Sequence, residues 1–174
     1  MTMTTRPSTD DVWRWLAEIP DPEIPAISLV DLGIIRDVAW DGDTLRVTVT
    51  PTYSGCPATS IINIEIETQL RARGIEKLEL RRQLSPAWTT DWISAEGREK
   101  LRNYGIAPPV DGTAADGVVA ARVDRLTGRS KLEVACPHCG SVNTECVSQF
   151  GSTPCKASYR CKDCLEPFDY LKCI

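Results

Sequence analysis

Two Cys-x-x-Cys pairs near the end of the chain constrain its fold more than any other feature. Cys136 and Cys139 form the first pair, Cys161 and Cys164 form the second, and 21 residues separate the two pairs. Each pair fits a tight turn that points both sulfurs to one side, so two facing turns create a tetrahedral four-thiolate site. A module of about 40 residues also buries too little apolar surface to fold without such a staple. The sequence therefore predicts a zinc ribbon with structural zinc, with iron in the same four-sulfur cage as the alternative.

Composition and cysteine usage set the broad class of protein. The 174 residues are 42% hydrophobic and 25% charged, with a formal net charge of −4, which is typical of a soluble globular chain. The sequence has no strongly basic stretch of the kind that binds nucleic acid. No apolar run is long enough to span a membrane. Residues 1–11 lack the apolar core of a signal peptide. We therefore expect a cytoplasmic protein whose eight cysteines are not paired as disulfides.

The other cysteines of the C-terminal region leave alternatives open. Cys155, which precedes Lys156, is either a reactive thiol or a small buried hydrophobe, and its spacing favours the buried hydrophobe. Cys146 and Cys173 are predicted to be structural, with a role as a reserve sulfur ligand as the alternative. The single histidine, His138, lies between two predicted ligands, so the chain cannot build a site from several histidines.

Periodicity and turn residues predict an α/β (α+β) fold in which a β-β-α-β unit has flanking helices. Ser8 can cap the first helix, and a loop with three prolines, residues 20–25, ends it. A helical turn over residues 28–33 then leads to two strands joined by an Asp-Gly-Asp hairpin turn. The next helix crosses over to a third strand. The predicted helices cover residues 9–19, 57–73 and 94–103, and the predicted strands cover residues 34–41, 45–50 and 75–82.

Composition divides the chain into two predicted domains. Residues 1–106 contain the β-β-α-β unit, and residues 107–117 (APPVDGTAADG) have the composition of a linker. Residues 118–174 form the zinc-ribbon domain, which begins with a weakly strand-like segment over residues 118–134.

Cys56 stands alone in the first domain, just before Pro57 at the predicted start of a helix. Free amides and the helix dipole at such a position favour a thiolate, which is both a nucleophile and a metal ligand. The alternative, equally weighted on physical grounds, is a buried residue that caps the helix. Carboxylates that could join the thiol in a transient iron site are Asp21, Glu23 and Asp31. For Asp31, closing a capping box is the favoured interpretation.

Trp88 and Trp92 lie four residues apart after the last predicted strand of the first domain. On a helix or turn they would form one apolar patch. Core packing is one interpretation, and a docking surface for a partner protein is the other.

Motifs of autonomous catalysis are missing from the sequence. It contains no glycine-rich phosphate loop, no Gly-x-Ser-x-Gly and no His-Glu-x-x-His. We therefore expect a protein that is not independently catalytic.

Three motifs in series resemble the MIP18 family, also called the domain of unknown function 59 (DUF59) family. They are Asp21-Pro22-Glu23-Ile24, Ser28-x-x-Asp31-Leu32-Gly33 and Thr50-Pro51-Thr52-Tyr53-Ser54-Gly55-Cys56-Pro57. The resemblance covers about residues 8–82 and implies a small α/β protein of iron–sulfur cluster assembly. It also implies that Cys56 is the reactive cysteine, with Asp21, Glu23 and Asp31 in the loops near it.

Motifs of the second half resemble the accessory D-subunit family of bacterial phenylacetyl-CoA epoxidase systems. They are residues 85–93 (SPAWTTDWI), 105–109 (GIAPP), 150–157 (FGSTPCKA) and 166–170 (EPFDY). This resemblance implies a role in phenylacetate catabolism beside a multicomponent oxygenase with a di-iron centre and an iron–sulfur reductase. A protein of this family would help to assemble or maintain one of those centres, and its partners would be the oxygenase, the reductase or both.

Alternatives to this function remain open at this stage. One is a non-catalytic structural or adaptor subunit, and another is an iron-binding redox sensor or electron carrier. A homodimer paired through a sheet edge, or through the helix that carries Ile64, is also open.

Overall fold

The structure of the protein is a computed structural model that describes residues 6–110 and 133–172. It confirms the predicted mixed α+β fold, with one three-stranded and one four-stranded sheet among the described residues. The chain divides into two compact units, Met1–Trp88 and Thr89–Ile174. None of the described helices is long and apolar enough to cross a membrane.

Helix α1 spans Thr9–Ala17, and its start is the one that the sequence predicted. The hydroxyl of Ser8 accepts a hydrogen bond from the amide of Asp11 at 3.1 Å, and the Asp11 carboxylate accepts one from the amide of Ser8 at 3.0 Å. This reciprocal capping box satisfies two amides that a helix start would otherwise leave unpaired. The helix ends two residues before the predicted Ile19, which is itself buried.

The sheet of the first unit has the strand order β1-β2-β3, with β1 at Ile35–Asp41, β2 at Thr44–Val49 and β3 at Leu78–Arg82. Strands β1 and β2 form an antiparallel hairpin, whereas β2 and β3 are parallel. Gly42 lies at the hairpin turn with φ +56°, which glycine adopts without strain. A parallel pair needs a crossover connection, and helix α2, Thr59–Ala72, supplies it as predicted.

Helix α2 packs one face against the core of the first unit. Its buried residues, Ile62, Ile66 and Leu70, recur at the spacing of one helix face. Ala58, the residue before the helix, is also buried. On β2 the buried apolar residues alternate instead, as expected for a strand with one face on the core. They are Leu45, Val47 and Val49.

The second unit is built around a four-stranded sheet of order β4-β7-β6-β5. A 3₁₀ turn at Thr90–Trp92 and helix α3 at Ala95–Asn103 precede the sheet, and the hydroxyl of Ser94 caps α3. Strand β4 is parallel to β7, whereas β5, β6 and β7 form an antiparallel meander. The strands are β4 at Ile106–Ala107, β5 at Thr144–Ser148, β6 at Lys156–Cys161 and β7 at Pro167–Leu171.

The division between the two compact units falls after Trp88, whereas the predicted first domain ended at residue 106. Residues 95–107 belong to the second unit, because β4 hydrogen-bonds to β7 and α3 packs beside β4. Whether residues 1–106 and 118–174 fold as separate domains stays a prediction. The predicted linker beyond residue 110 and the strand-like segment up to residue 132 lie outside the described residues.

Candidate metal centre

The four cysteines of the two Cys-x-x-Cys pairs converge in the second unit. The sulfurs of Cys136 and Cys164 are 3.7 Å apart, and those of Cys139 and Cys161 are 3.6 Å apart. All four sulfurs lie within 4.8 Å of one another. A tetrahedral zinc with Zn–S bonds of about 2.3 Å requires sulfurs about 3.8 Å apart. The observed spacing therefore fits a four-thiolate zinc site.

Each cysteine pair lies on a turn that closes in the same way. The amide of Cys136 donates to the carbonyl of Ser141 at 2.8 Å, and the amide of Cys161 donates to the carbonyl of Glu166 at 3.0 Å. Both turns place the residue after their second cysteine at positive φ, +76° at Gly140 and +67° at Leu165. Glycine adopts this conformation without strain, whereas leucine carries no sequence signal for it.

We expect Gly140→Ala to lower stability and Leu165→Gly to leave it unchanged or raise it. A side chain at Gly140 would meet no atom within 4 Å, so alanine there carries only the backbone strain, a loss of about 1 kcal/mol. Leu165→Gly relieves the same strain and removes a side chain that is 60% exposed, so we expect no loss of stability. Chemical denaturation of the second unit, with the metal retained, measures both. A Leu165→Gly variant as unstable as Gly140→Ala would contradict this account.

Backbone amides surround the sulfurs and shift their pKa values. The amide of Cys164, helped by that of Asp163, hydrogen-bonds to the Cys161 sulfur and lowers the pKa of that thiol to about 7. At Cys164 the amide of Glu166 acts in the same sense, but burial and hydrogen bonds with the other thiols raise the pKa to about 12. The pKa of Cys139 is also raised, because burial and its bond with Cys161 outweigh the amide of Ser141. Amide donors favour thiolates, and crowded thiols without a cation resist losing their protons. A thiophilic divalent cation satisfies both.

A carboxylate ties the two cysteine turns together. The side chain of Asp163 accepts hydrogen bonds from the hydroxyl of Ser141 and, at 2.7 Å, from the side-chain amide of Asn143. These bonds lower the pKa of Asp163. Sequence reasoning missed this contact, and its only signal was an acidic residue inside a Cys-x-x-Cys motif. Partners of this kind hold ligands in the orientation that the metal requires.

The remaining residues of the cysteine-rich region lie apart from the sulfur cluster. His138 is exposed and does not belong to the four-cysteine group. Cys155 is buried, with its sulfur 3.0 Å from the hydroxyl oxygen of Thr153, as expected of a small buried hydrophobe. Cys146 is exposed on β5, and Cys173 lies outside the described residues. The buried Lys156, which forms an ion pair with Asp169 at 3.7 Å, was not predicted as such.

In the described part of the chain, the structure does not bring a group of metal ligands together around Cys56, where an iron site was predicted, as it does for the four cysteines. Within residues 6–110 and 133–172, the only group of three or more metal-binding side chains is the four-cysteine cluster. Cys56 is half-buried, and α2 begins at Thr59 with Ala58 as its N-cap. Cys56 therefore lies in the turn before the helix, where its amide donates to the carbonyl of Tyr53 at 3.2 Å. Pro57 was predicted to be the first helical residue, but it lies in a further turn that precedes α2. Cys56 is therefore not directly at the start of the helix.

The three carboxylates that were predicted to join Cys56 lie in loops, and two of them hydrogen-bond within their own loops. Asp21 is 5% exposed, and one carboxylate oxygen accepts hydrogen bonds from the amides of Glu23 and Ile24, both at 2.9 Å. The carboxylate of Asp31 accepts a hydrogen bond from the hydroxyl of Ser28, which in turn accepts one from the Asp31 amide. The bond from the Asp31 amide to the Ser28 hydroxyl is one half of the capping box favoured for Asp31, and the Asp31 carboxylate bonds the Ser28 hydroxyl. Glu23 is partly exposed on the loop that Asp21 stiffens.

Trp88 and Trp92 belong to different compact units. Trp88 is 4% exposed, and its indole N–H donates to the carbonyl of Leu32 at 2.9 Å. Trp92 is half-buried in the 3₁₀ turn and belongs to the second unit. The structure therefore places Trp88 in the core of the first unit, the alternative that the sequence left open. A docking role for Trp92 stays a prediction.

Comparison with known proteins matches two segments of the chain to family models. Residues 9–77 match the iron-sulfur cluster assembly protein family, and residues 120–172 match the PaaD zinc beta ribbon domain. A crystal structure of a DUF59 domain from Bacillus anthracis has a TM-score of 0.50 and 24% identity, and the match covers 53% of this chain and 90% of that chain. That likeness shows the fold. The fold and the sulfur cluster thus define a protein in which a DUF59-type assembly domain is joined to a zinc ribbon.

Two relatives extend the comparison along the chain. A protein of Escherichia coli strain K12, provisionally described as the D subunit of a 1,2-phenylacetyl-CoA epoxidase, is 44% identical over 168 residues, or 97% of this chain and 94% of that protein. The Fe-S protein maturation auxiliary factor of Porphyromonas gingivalis (strain ATCC BAA-308 / W83) is 33% identical over 95 residues, or 53% of this chain and 89% of that protein. The chain belongs to the D-subunit family of the phenylacetyl-CoA epoxidase. Both resemblances drawn from the sequence are confirmed.

Proposed function

We propose that the protein is an accessory factor that assembles or maintains an iron centre of the phenylacetyl-CoA epoxidase, in the cytoplasm, during phenylacetate catabolism. The single observation that carries this proposal is the 44% identity to the Escherichia coli relative over 97% of the chain, across both units. The similarity of the first half to a maturation factor points to iron–sulfur handling. The client is a component of the oxygenase or its reductase, and the protein itself is not a catalyst of the epoxidation.

In this proposal the two units have separate tasks. The ribbon holds one zinc on Cys136, Cys139, Cys161 and Cys164, whose sulfur spacing fits that metal. With four protein ligands such a site has no open position, so its zinc is structural. The first unit would handle the iron cargo, and the ribbon would help to hold the client.

The proposed cargo site is Cys56 with Glu23, and Asp21 and Asp31 shape the loops around it. A thiolate with a carboxylate suits iron, and half-burial leaves the Cys56 sulfur within reach of a client. Few ligands from the carrier itself would favour transient binding, because the client must take the iron away. The bonds from Asp21 to the amides of Glu23 and Ile24 support a loop that is held in place.

We expect Cys56→Ser to abolish or strongly reduce ring epoxidation in cells while leaving the protein folded. The substitution removes one sulfur from a half-buried turn, so stability should change little. The assays are growth on phenylacetate and the iron and zinc contents of protein purified without oxygen. The matched control is Cys146→Ser, which removes an exposed thiol outside the sulfur cluster and should leave both assays unchanged. Iron in the wild type that is lost only in Cys56→Ser would support a carrier site.

A structural adaptor is the second candidate function. The observation in its favour is that the described residues assemble no group of three ligands around Cys56. An adaptor would form a stable stoichiometric complex with the oxygenase, and Cys56→Ser would alter neither that complex nor epoxidation. A red protein with iron in the ribbon would instead favour the redox sensor or electron carrier, and its visible spectrum separates that case from zinc.

A further inference from the structure

A small cavity lies where the parallel strands β2 and β3 end beside the first turns of α2. Its volume is about 30 Å³, enough for about two water-sized groups. The polar residues of its lining are Thr59, Asn63, Arg81 and Arg82. In strand–helix–strand units, ligands bind at the carboxyl ends of the parallel strands, where the crossover helix begins. The cavity occupies that position in this unit.

The guanidinium of Arg82 is held at this end of the sheet. Arg82 pairs in register with Val49 of β2, so its side chain lies on the same face of the sheet as the buried Val49. One of its nitrogens donates to the carbonyl of Ser54 at 2.6 Å, two residues before Cys56. A guanidinium has five N–H donors, so this contact leaves donors available for a ligand.

Thr59 and Asn63 offer further donors on successive turns of α2. The Thr59 hydroxyl oxygen is buried and has no hydrogen-bond partner among the described residues, an arrangement that costs free energy unless a ligand or water satisfies it. Ala58, at the N-cap, gives the helix no side-chain cap. Residues that carry a guanidinium, an amide and a hydroxyl thus line a space for about two small polar groups. Such a donor set complements an anion that presents two oxygens.

We propose that this cavity binds a carboxylate. Two carboxylate oxygens match its volume and its donors. The Thr59 amide donates to the carbonyl of Cys56 at 3.2 Å, so a bound acid would lie one turn of chain from that thiol. The carboxylate is either a free small acid or an acidic side chain of a partner protein. The site does not depend on the cargo proposed for Cys56.

The test is a titration of the full-length, ¹⁵N-labelled protein with sodium acetate, followed by NMR against sodium chloride at equal ionic strength. We expect saturable shifts of the amides of Thr59, Asn63 and Arg82 with acetate alone. Arg82→Gln should weaken acetate binding at least about fivefold, because it removes a charge-assisted bond. Arg71→Gln is the matched control, since Arg71 pairs with Glu67 on α2 and does not line the cavity.

The variant Thr59→Val distinguishes a loss of acetate binding from a loss of folding. It keeps the shape of the side chain and removes a hydroxyl without a partner, so we expect an equal or higher melting temperature together with weaker acetate binding. Shifts that are equal with chloride, that do not saturate, or that survive both Arg82→Gln and Thr59→Val would overturn the proposal.

Two short capped peptides identify the source of the carboxylate. Tighter binding of acetyl-Gly-Glu-Gly-amide than of acetate would assign the site to an acidic side chain of a partner. Binding of the peptide no tighter than acetate would assign it to a free small acid. Binding of acetyl-Gly-Gln-Gly-amide as tightly as its glutamate counterpart would overturn the assignment to a carboxylate.

Discussion

Cys161→Ser is expected to abolish metal retention and to unfold the ribbon sheet. Cys161 is fully buried at the end of β6, where its sulfur faces that of Cys139 at 3.6 Å. Structural zinc on thiolates contributes about 10–16 kcal/mol of apparent binding free energy, which is folding free energy for a small module. Serine is a poor ligand for zinc, and its hydroxyl would be buried without the metal.

The metal site adjoins a small apolar cluster. Among the described residues, seven buried residues form this cluster, and two of them are cysteines of the sulfur cluster. They are Ala107, Val134, Cys136, Ala157, Cys161, Phe168 and Tyr170. Loss of the metal would remove the link between the two cysteine turns on which this cluster is built.

Elemental analysis and limited proteolysis measure the result. We expect about one zinc per chain in the wild type and less than about a tenth of that in Cys161→Ser, with new cleavage within residues 133–172. Cys146→Ser is the matched control, because its thiol is exposed on the same sheet and outside the cluster. A Cys161→Ser variant with full zinc content and an intact ribbon would refute the four-thiolate site.

Trp88→Ala is expected to destabilise the first unit by about 3–5 kcal/mol, the usual cost of truncating a buried aromatic residue. The indole is 4% exposed and bonded to the carbonyl of Leu32, so alanine leaves both a cavity and an unpaired carbonyl. For a unit of about 90 residues, this loss lowers the melting temperature by more than about 10 °C. Urea denaturation followed by circular dichroism measures the free energy of unfolding.

Two further variants make the Trp88 result specific. Trp88→Phe keeps most of the volume and removes the indole N–H, so we expect a loss of about 1–3 kcal/mol. Leu84→Ala, at a side chain that is 53% exposed, should change stability by less than about 0.5 kcal/mol. If Trp88→Ala kept its stability but lost binding to the oxygenase, Trp88 would be a docking residue after all.

Much of the first unit could be predicted from its sequence because its signals are local. The Ser8 capping box, the hairpin turn at Gly42 and the apolar face of α2 each depend on residues within a few positions of one another. Hydrogen-bonding rules for caps and turns apply at that range regardless of the rest of the chain. The element ends were less accurate, and α2 began at Thr59, two residues after Pro57, because Cys56 and Pro57 form a separate turn.

The four-thiolate cluster was also determined by the sequence, since few folds other than two facing turns bring two Cys-x-x-Cys pairs together. Tertiary structure alone decided the burial of Trp88 on the carbonyl of Leu32, 56 residues away in the chain. It also decided the pairing of β4 with β7 and the meeting of Arg82 with Thr59 at one cavity. These features depend on which distant segments pack together. Residue spacing does not predict that choice. The free energy of burial depends on the apolar area removed from water and not on how far apart in the sequence the packed residues lie.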